Sequence, residues 1–167
     1  MIYLSFGSNL NSKLGSSRFI ISKSYSELTK FGIRIVKKSF FYKSKAYPNP
    51  KDPEFINTVI SVESRFHVRK LLDIIFKIEK KFGRMRSNKN APRVLDIDII
   101  DFHSRNINNL RNCSDLIVPH SRVADRLFVL IPLLDVACNW KNSRTGKHIS
   151  YLVTKIQKHA DNKITKI

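Results

Sequence analysis

The chain has 167 residues, a length that suits one domain, and 42% of them are hydrophobic, enough for a packed core and too many for a disordered chain. Five Gly and six Pro are too few for a low-complexity or collagen-like chain. The formal charge is +18, from 31 Lys and Arg against 13 Asp and Glu, which points to an anionic partner (nucleic acid, nucleotide phosphate or membrane surface) or to a coding bias toward Lys, Ile and Asn.

Ile2, Leu4 and Phe6 alternate with Tyr3 and Ser5, so a short first strand is expected, broken by Gly7-Ser8-Asn9. No basic run precedes it, and the segment does not read as a signal peptide. A helix is expected over residues 13–30, with Leu14, Phe19, Ile20, Tyr25 and Leu28 as buried candidates and Gly32 as its end. Residues 33–42 read as a second strand. Pro48, Pro50 and Pro53 make the next stretch a loop. Residues 55–62 read as a third strand, with Phe55, Asn57, Val59 and Ser61 on one side. The clearest helix spans 67–82: Val68, Leu71, Leu72, Ile75, Ile78 and Phe82 share one face, and Gly83 closes it.

A basic loop over 84–93 leads into a fourth strand over 94–102. Residues 103–116 form a polar excursion, with a small hairpin around Ile107. Residues 127–137 are too apolar for an exposed segment and read as a buried helix; a short helix follows near 151–159. The order strand, helix, strand, strand, helix, strand predicts an α+β fold of the ferredoxin-like sandwich kind. Its antiparallel sheet would carry helices packed on one face, with residues 1–167 as a single domain. Cys113 and Cys138 have no metal-site spacing and fit a reducing compartment. No apolar run approaches the ~20 residues of a membrane span, so a cytoplasmic location is expected.

Asp96-Ile97-Asp98 lies inside the fourth strand, where a period of two puts both carboxylates on one face. Such a pair repels unless neutralised, and a hard divalent cation such as Mg²⁺ would neutralise it and carry phosphate with it. The alternative is an ordinary solvated acidic face. Asp101 is expected on the opposite face. Arg84, Arg86 and Arg93 bracket the basic loop, and guanidinium groups bind phosphate oxygens bidentately. Metal on one side and arginines on the other is an arrangement for phosphoryl transfer; the alternative is a solvated basic turn. His120, with Arg122 and Arg126, makes a third polar cluster. Core packing is the default for Phe55 and Phe128. The chain has no Walker-type phosphate loop, no dinucleotide-binding glycine fingerprint and no protein-kinase motif set.

In this order the clusters resemble the 6-hydroxymethyl-7,8-dihydropterin pyrophosphokinase family, from Tyr3 to about Ala137. The strongest piece is Pro92-Arg93-Val94-Leu95-Asp96-Ile97-Asp98-Ile99, which looks like the family's P-R-x-L-D-x-D signature. Gly7-Ser8-Asn9-Leu10, Phe55-Ile56-Asn57, Ile78-Glu79 with Gly83-Arg84-x-Arg86, Val118-Pro119-His120 and Arg126-x-Phe128 support it.

The resemblance implies transfer of pyrophosphate from ATP to the pterin hydroxymethyl group, giving AMP and the pterin diphosphate, in tetrahydrofolate biosynthesis. Asp96 and Asp98 would hold two Mg²⁺ ions. Arg84 and Arg93 would move in with a mobile loop to stabilise the migrating group. Arg86, Arg93, Ile99, His120 and Arg126 would contact ATP, with Glu79 supporting the site. Phe55 and Phe128 would sandwich the pterin, and Asn57, with Ser44, Lys45 and Tyr47, would read its hydrogen-bonding edge. The resemblance further implies small-molecule partners only, no nucleic acid, no membrane and a monomer.

This chain departs from the pattern at three places. Ser44-Lys45-Ala46-Tyr47 stands where the family commonly has Thr-Pro-Pro, Ser87 to Ala91 contains no aromatic, and the 103–116 stretch is longer than usual. Two other readings compete. A basic RNA-binding module on a ferredoxin-like sheet would explain the charge, yet the chain lacks an aromatic-rich base-stacking strand and places two aspartates on a strand face. A family member that binds without turnover is the other, and the retained Asp96, Asp98, Arg84 and Arg93 argue against it.

Overall fold

The computed structural model describes residues 1–47, 49–84, 91–110, 113–157 and 163–167. Strand β1 (Ile2–Ser8) lies at the centre of the main sheet, antiparallel to β4 (Phe55–Glu63) on one side and β5 (Asp96–Phe102) on the other. The far edge of β4 is shared. Strand β3 (Tyr42–Ser44) pairs beside residues 55–57, and β2 (Arg34–Lys38) beside residues 60–63. The expected second strand is therefore two strands. Ser39 divides them: its hydroxyl accepts the Val59 N–H (3.0 Å) while its own N–H donates to the Val59 carbonyl (2.9 Å). The two-residue β8 (Thr165–Lys166) covers the outer edge of β3, and β6 (Ile107–Leu110) with β7 (Cys113–Val118) makes the separate hairpin expected around Ile107.

Helix α1 (Ser17–Lys30) starts later than its apolar pattern suggests. Gly15, at φ +127°, breaks the chain, and the Ser16 hydroxyl caps the helix by accepting the Phe19 N–H. Helix α2 (Val68–Lys81) is capped by His67 and buries Leu71, Ile75 and Ile78 on the face foreseen. Ile75 is fully buried, which stabilises by about 1.5–3 kcal/mol. Both helices pack on the sheet face formed by Ile2, Leu4, Phe6, Ile60, Ile97 and Ile99.

The opposite face is covered as well. Helices α3 (Leu127–Val136) and α4 (Ile149–Gln157) close over Val59 and Ile100 in a second core cluster. The expectation of helices on one face is corrected: the sheet is a central layer with helices on both sides. The physical reason is that β4 and β5 are apolar on both parities, as Val59-Ile60 and Ile99-Ile100 show, so neither face can be left to water. A bulge in the β1–β5 register skips Ile100 and resets the alternation. Asp101 is therefore not on the face opposite Asp96 and Asp98, as strict alternation predicts, but reaches the second cluster, where its buried carboxylate accepts from Trp140 Nε1 (2.9 Å) and the Ser104 N–H (2.7 Å). Among the described residues, no helix is long and apolar enough to cross a membrane.

Candidate active site

The regular end of β5 sets the site. Asp96 lies opposite Gly7 and Asp98 opposite Ser5 in the ladder with β1, so both carboxylates emerge on one face, as their spacing requires. Gly83, at φ +88°, ends α2 in a left-handed turn that returns the Arg84 N–H to the Glu79 carbonyl (3.0 Å). The Arg84 guanidinium then pairs with the Glu79 carboxylate and, at 2.6 Å, with Asp96. Arg93 comes from the other side, its Nη1 2.8 Å from Asp96. Its backbone is fixed by Asn9, which is buried: the Asn9 side-chain oxygen accepts the Arg93 N–H (2.8 Å) and its amide donates to the Pro53 carbonyl (3.1 Å). The two arginines bracketing residues 85–90 thus already converge on Asp96. Arg86 and the loop expected to close lie outside the described residues.

Glu79 is 3% exposed and accepts the Ile97 N–H at 2.7 Å, which ties α2 to the Asp96–Asp98 end of β5. Burial pushes its carboxyl up to about 7, against the pull of Arg84 and the Ile97 N–H. Burial and the neighbouring Asp96 charge also raise Asp98 above the ordinary carboxylate range, with Arg126, Arg84 and Arg93 opposing. Arg126 Nη1 stands 3.5 Å from Asp98, and His120 Nε2 stands 4.0 Å from it. Burial and the Arg126 charge hold the His120 imidazole down to about 4, so it is neutral at pH 7. Its Nδ1 accepts the Arg122 N–H (3.1 Å), and its Nε2 stands between Asp98 and the Arg126 guanidinium, 3.4 Å from Arg126 Nη1.

Beside these groups opens a cavity of about 310 Å³. Asp96, Asp98, Arg93, Arg122, Asp125 and Arg126 line one part; Phe55, Asn57, Ser44, Lys45, Tyr47 and Phe128 line the other. Gly7 forms part of the wall, and a methyl group there would sit 3.6 Å from the Asn57 side-chain oxygen and 3.7 Å from the Phe55 ring. The Asn57 amide nitrogen donates to the Ser44 hydroxyl (2.9 Å), so its oxygen is the atom left for a ligand. Of the expected site residues, the structure brings together Ser44, Lys45, Tyr47, Phe55, Asn57, Arg93, Asp96, Asp98, Arg126 and Phe128 as cavity wall. Arg84, Glu79 and His120 stand directly behind it through their bonds to Asp96, Ile97 and Asp98. Ile99 does not join them: its side chain is buried in the first core cluster, on the other sheet face. Ser5 and Asp125 join the site without a sequence expectation, whereas Arg122 comes from the polar cluster with His120 and Arg126, and Asn9 from the Gly7-Ser8-Asn9-Leu10 run.

An anionic ligand fits the basic part of this cavity and a flat heterocycle fits the aromatic part. Asp96 and Asp98 suit a hard cation. Their oxygens are adjacent on one face, and among the described residues no third His, Cys, Asp or Glu completes a dedicated cage. Such a donor set leaves coordination positions for water and phosphate oxygens, the habit of Mg²⁺.

The family model for 7,8-dihydro-6-hydroxymethylpterin-pyrophosphokinase matches residues 3–138. A 2-amino-4-hydroxy-6-hydroxymethyldihydropteridine pyrophosphokinase of Haemophilus influenzae is 32% identical over 166 residues, covering 99% of this chain and 96% of the relative. The folic acid synthesis protein fol1 of Pneumocystis carinii is 36% identical over 158 residues, 95% of this chain but 20% of that protein. A Synechocystis pyrophosphokinase of the same name is 35% identical over 125 residues, covering 75% of this chain and 62% of the relative. The chain therefore spans a fifth of the fol1 protein and under two thirds of the Synechocystis relative. A crystal structure of a Plasmodium falciparum HPPK-DHPS triple mutant shares the fold, with a TM-score of 0.75 at 16% identity over 99% of this chain and 47% of that one. With the match running from β1 through α3 and across every segment that builds the cavity, the chain belongs to the 7,8-dihydro-6-hydroxymethylpterin-pyrophosphokinase family.

Proposed function

We propose that the protein transfers the terminal pyrophosphoryl group of ATP to 6-hydroxymethyl-7,8-dihydropterin, a step of folate biosynthesis. The observation that carries this reading is a single cavity that joins Asp96, Asp98, Arg93 and Arg126 to Phe55, Asn57 and Phe128. The hydroxymethyl oxygen attacks the β-phosphorus of ATP and the bond from that phosphorus to the α–β bridging oxygen breaks. AMP leaves with the bridging oxygen, and the hydroxyl proton passes to water.

Phe55 and Phe128 hold the pterin ring, and the Asn57 oxygen accepts from its edge, beside Ser44, Lys45 and Tyr47. Arg84 and Arg93 exchange the Asp96 carboxylate for phosphate oxygens once the nucleotide is in place, and they stabilise charge on the migrating group. Arg126 and the neutral imidazole of His120 serve phosphate oxygens from the Asp98 side. Asp96 and Asp98 would hold Mg²⁺, which when bound supplies charge neutralisation at the phosphates. The exposed free thiol of Cys138 suits the cytoplasm.

Asp98→Ala tests the assignment. Pyrophosphoryl transfer should fall by at least about 100-fold, the scale of losing one preorganised electrostatic contact, with an unchanged circular dichroism spectrum. Near-wild-type turnover that still requires Mg²⁺ would place the metal elsewhere.

A further inference from the structure

We infer that Arg122 is the residue that first captures the triphosphate of ATP, an anchor outside the ion-paired core of the site. The inference rests on the proposed pyrophosphokinase reading. In the empty site the charges are matched. Arg84 is held by Glu79 and Asp96, Arg93 by Asp96, and Arg126 lies 3.5 Å from Asp98. These three guanidinium groups already turn donors and part of their charge toward carboxylates, so each must share itself between a carboxylate and an approaching phosphate.

Arg122 differs. Its side chain is exposed, lines the same cavity and forms no ion pair among the described residues. Its backbone is fixed, since its N–H donates to His120 Nδ1 (3.1 Å) and its carbonyl accepts the Asp125 N–H (3.2 Å). A fixed root and an unpaired charge at the cavity wall are what capture of an anion needs, because no bond has to break first. Asp125, from the same turn, also lines the cavity, 310 Å³ in all, and makes no ion pair either, so the two side chains set the local field together. Lys45 is another cavity cation, but it leaves β3 beside Ser44 and Tyr47, in the aromatic part. Arg122 neighbours His120 and Arg126, on the carboxylate side where phosphates would lie.

The test compares wild type, Arg122→Ala, Arg122→Lys and a control, Arg65→Ala, whose exposed side chain lies just beyond the opposite end of β4. Inorganic tripolyphosphate and Mg–ATP are titrated into each, and single-turnover rates are measured at saturating ATP. Arg122→Ala should weaken both ligands by about 10- to 100-fold, the loss of one hydrogen bond to a charged group. Its association rate should lose part of its salt dependence, Arg122→Lys should recover part of the affinity, and adenosine binding and the saturated single-turnover rate should hold. Arg65→Ala should match wild type. If Arg122→Ala binds tripolyphosphate like wild type while wild type turns over the pterin, the capture role falls alone. If the saturated rate falls as far as affinity, Arg122 acts in the chemical step and the inference is equally overturned. A wild-type protein that binds Mg–ATP but transfers nothing to the pterin would instead overturn the parent reading.

Discussion

Phe128 shows how one residue of a buried helix comes to line the cavity. It sits in the first turn of α3 between Leu127 and Val129, both buried, yet its own ring lines the cavity, and the Arg126 guanidinium lies 5.6 Å from the ring centroid. An aromatic stack is worth about 0.5–1.5 kcal/mol beyond area burial. Phe128→Ala should therefore weaken pterin binding by roughly 2- to 10-fold or more while ATP affinity stays close to wild type. Calorimetric titration of both ligands decides it, and equal losses would mark Phe128 as ordinary core. At this scale, strand periodicity is what made the site readable. It places Asp96 and Asp98 together, and the same rule sends the Ile99 side chain to the other face. Asn9 and Arg122 stand out only as members of a motif and a polar cluster, and Asp125 not at all, because loops and a short turn carry them and no period fixes where a loop side chain points.

At the scale of elements, the aromatic part of the cavity depends on the seating of β3 against α3. Asp135 of α3 accepts from the Tyr42 hydroxyl (2.9 Å) and from the Phe40 N–H (3.1 Å), tying the strand that leads to Ser44 and Lys45 to the helix that carries Phe128. Burial and the hydrogen bond to Asp135 push the Tyr42 hydroxyl from 10.0 up to about 12. The native chain therefore keeps this proton where the unfolded chain has lost it, so its stabilisation is complete below pH 10 and is lost as pH rises toward 12. Tyr42→Phe should cost about 1 kcal/mol at pH 8, and the gap between wild type and variant in urea unfolding should shrink at pH 11. A gap that holds or widens would mean that Tyr42 makes no such contact. The α2 helix was legible because six apolar residues repeat on one face. The division of β2 from β3 was not, since Ser39 makes it with Val59, and neither was β8, whose two residues carry no pattern of their own.

Across the whole molecule, two layers of helices clamp one antiparallel sheet, and the reactive groups gather where β5, the end of α2 and the turn before α3 meet. The second helical layer went unread because residues 127–137 announce only that they must be buried, not which sheet face they cover. The +18 charge is explained at the site only in small part: among the described residues, Arg84, Arg93, Arg122, Arg126 and Lys45 are its cations, and three of them are matched by carboxylates. On the proposed reading, an anionic substrate would be drawn by the net positive charge of the chain before it meets the ion-paired groups of the site. The most direct measurement is the identity of the nucleotide product when the protein is incubated with ATP, Mg²⁺ and 6-hydroxymethyl-7,8-dihydropterin. The account predicts AMP, formed in equal amount with the pterin diphosphate and only when the pterin is present. ADP as the product, or no pterin-dependent consumption of ATP, would contradict it.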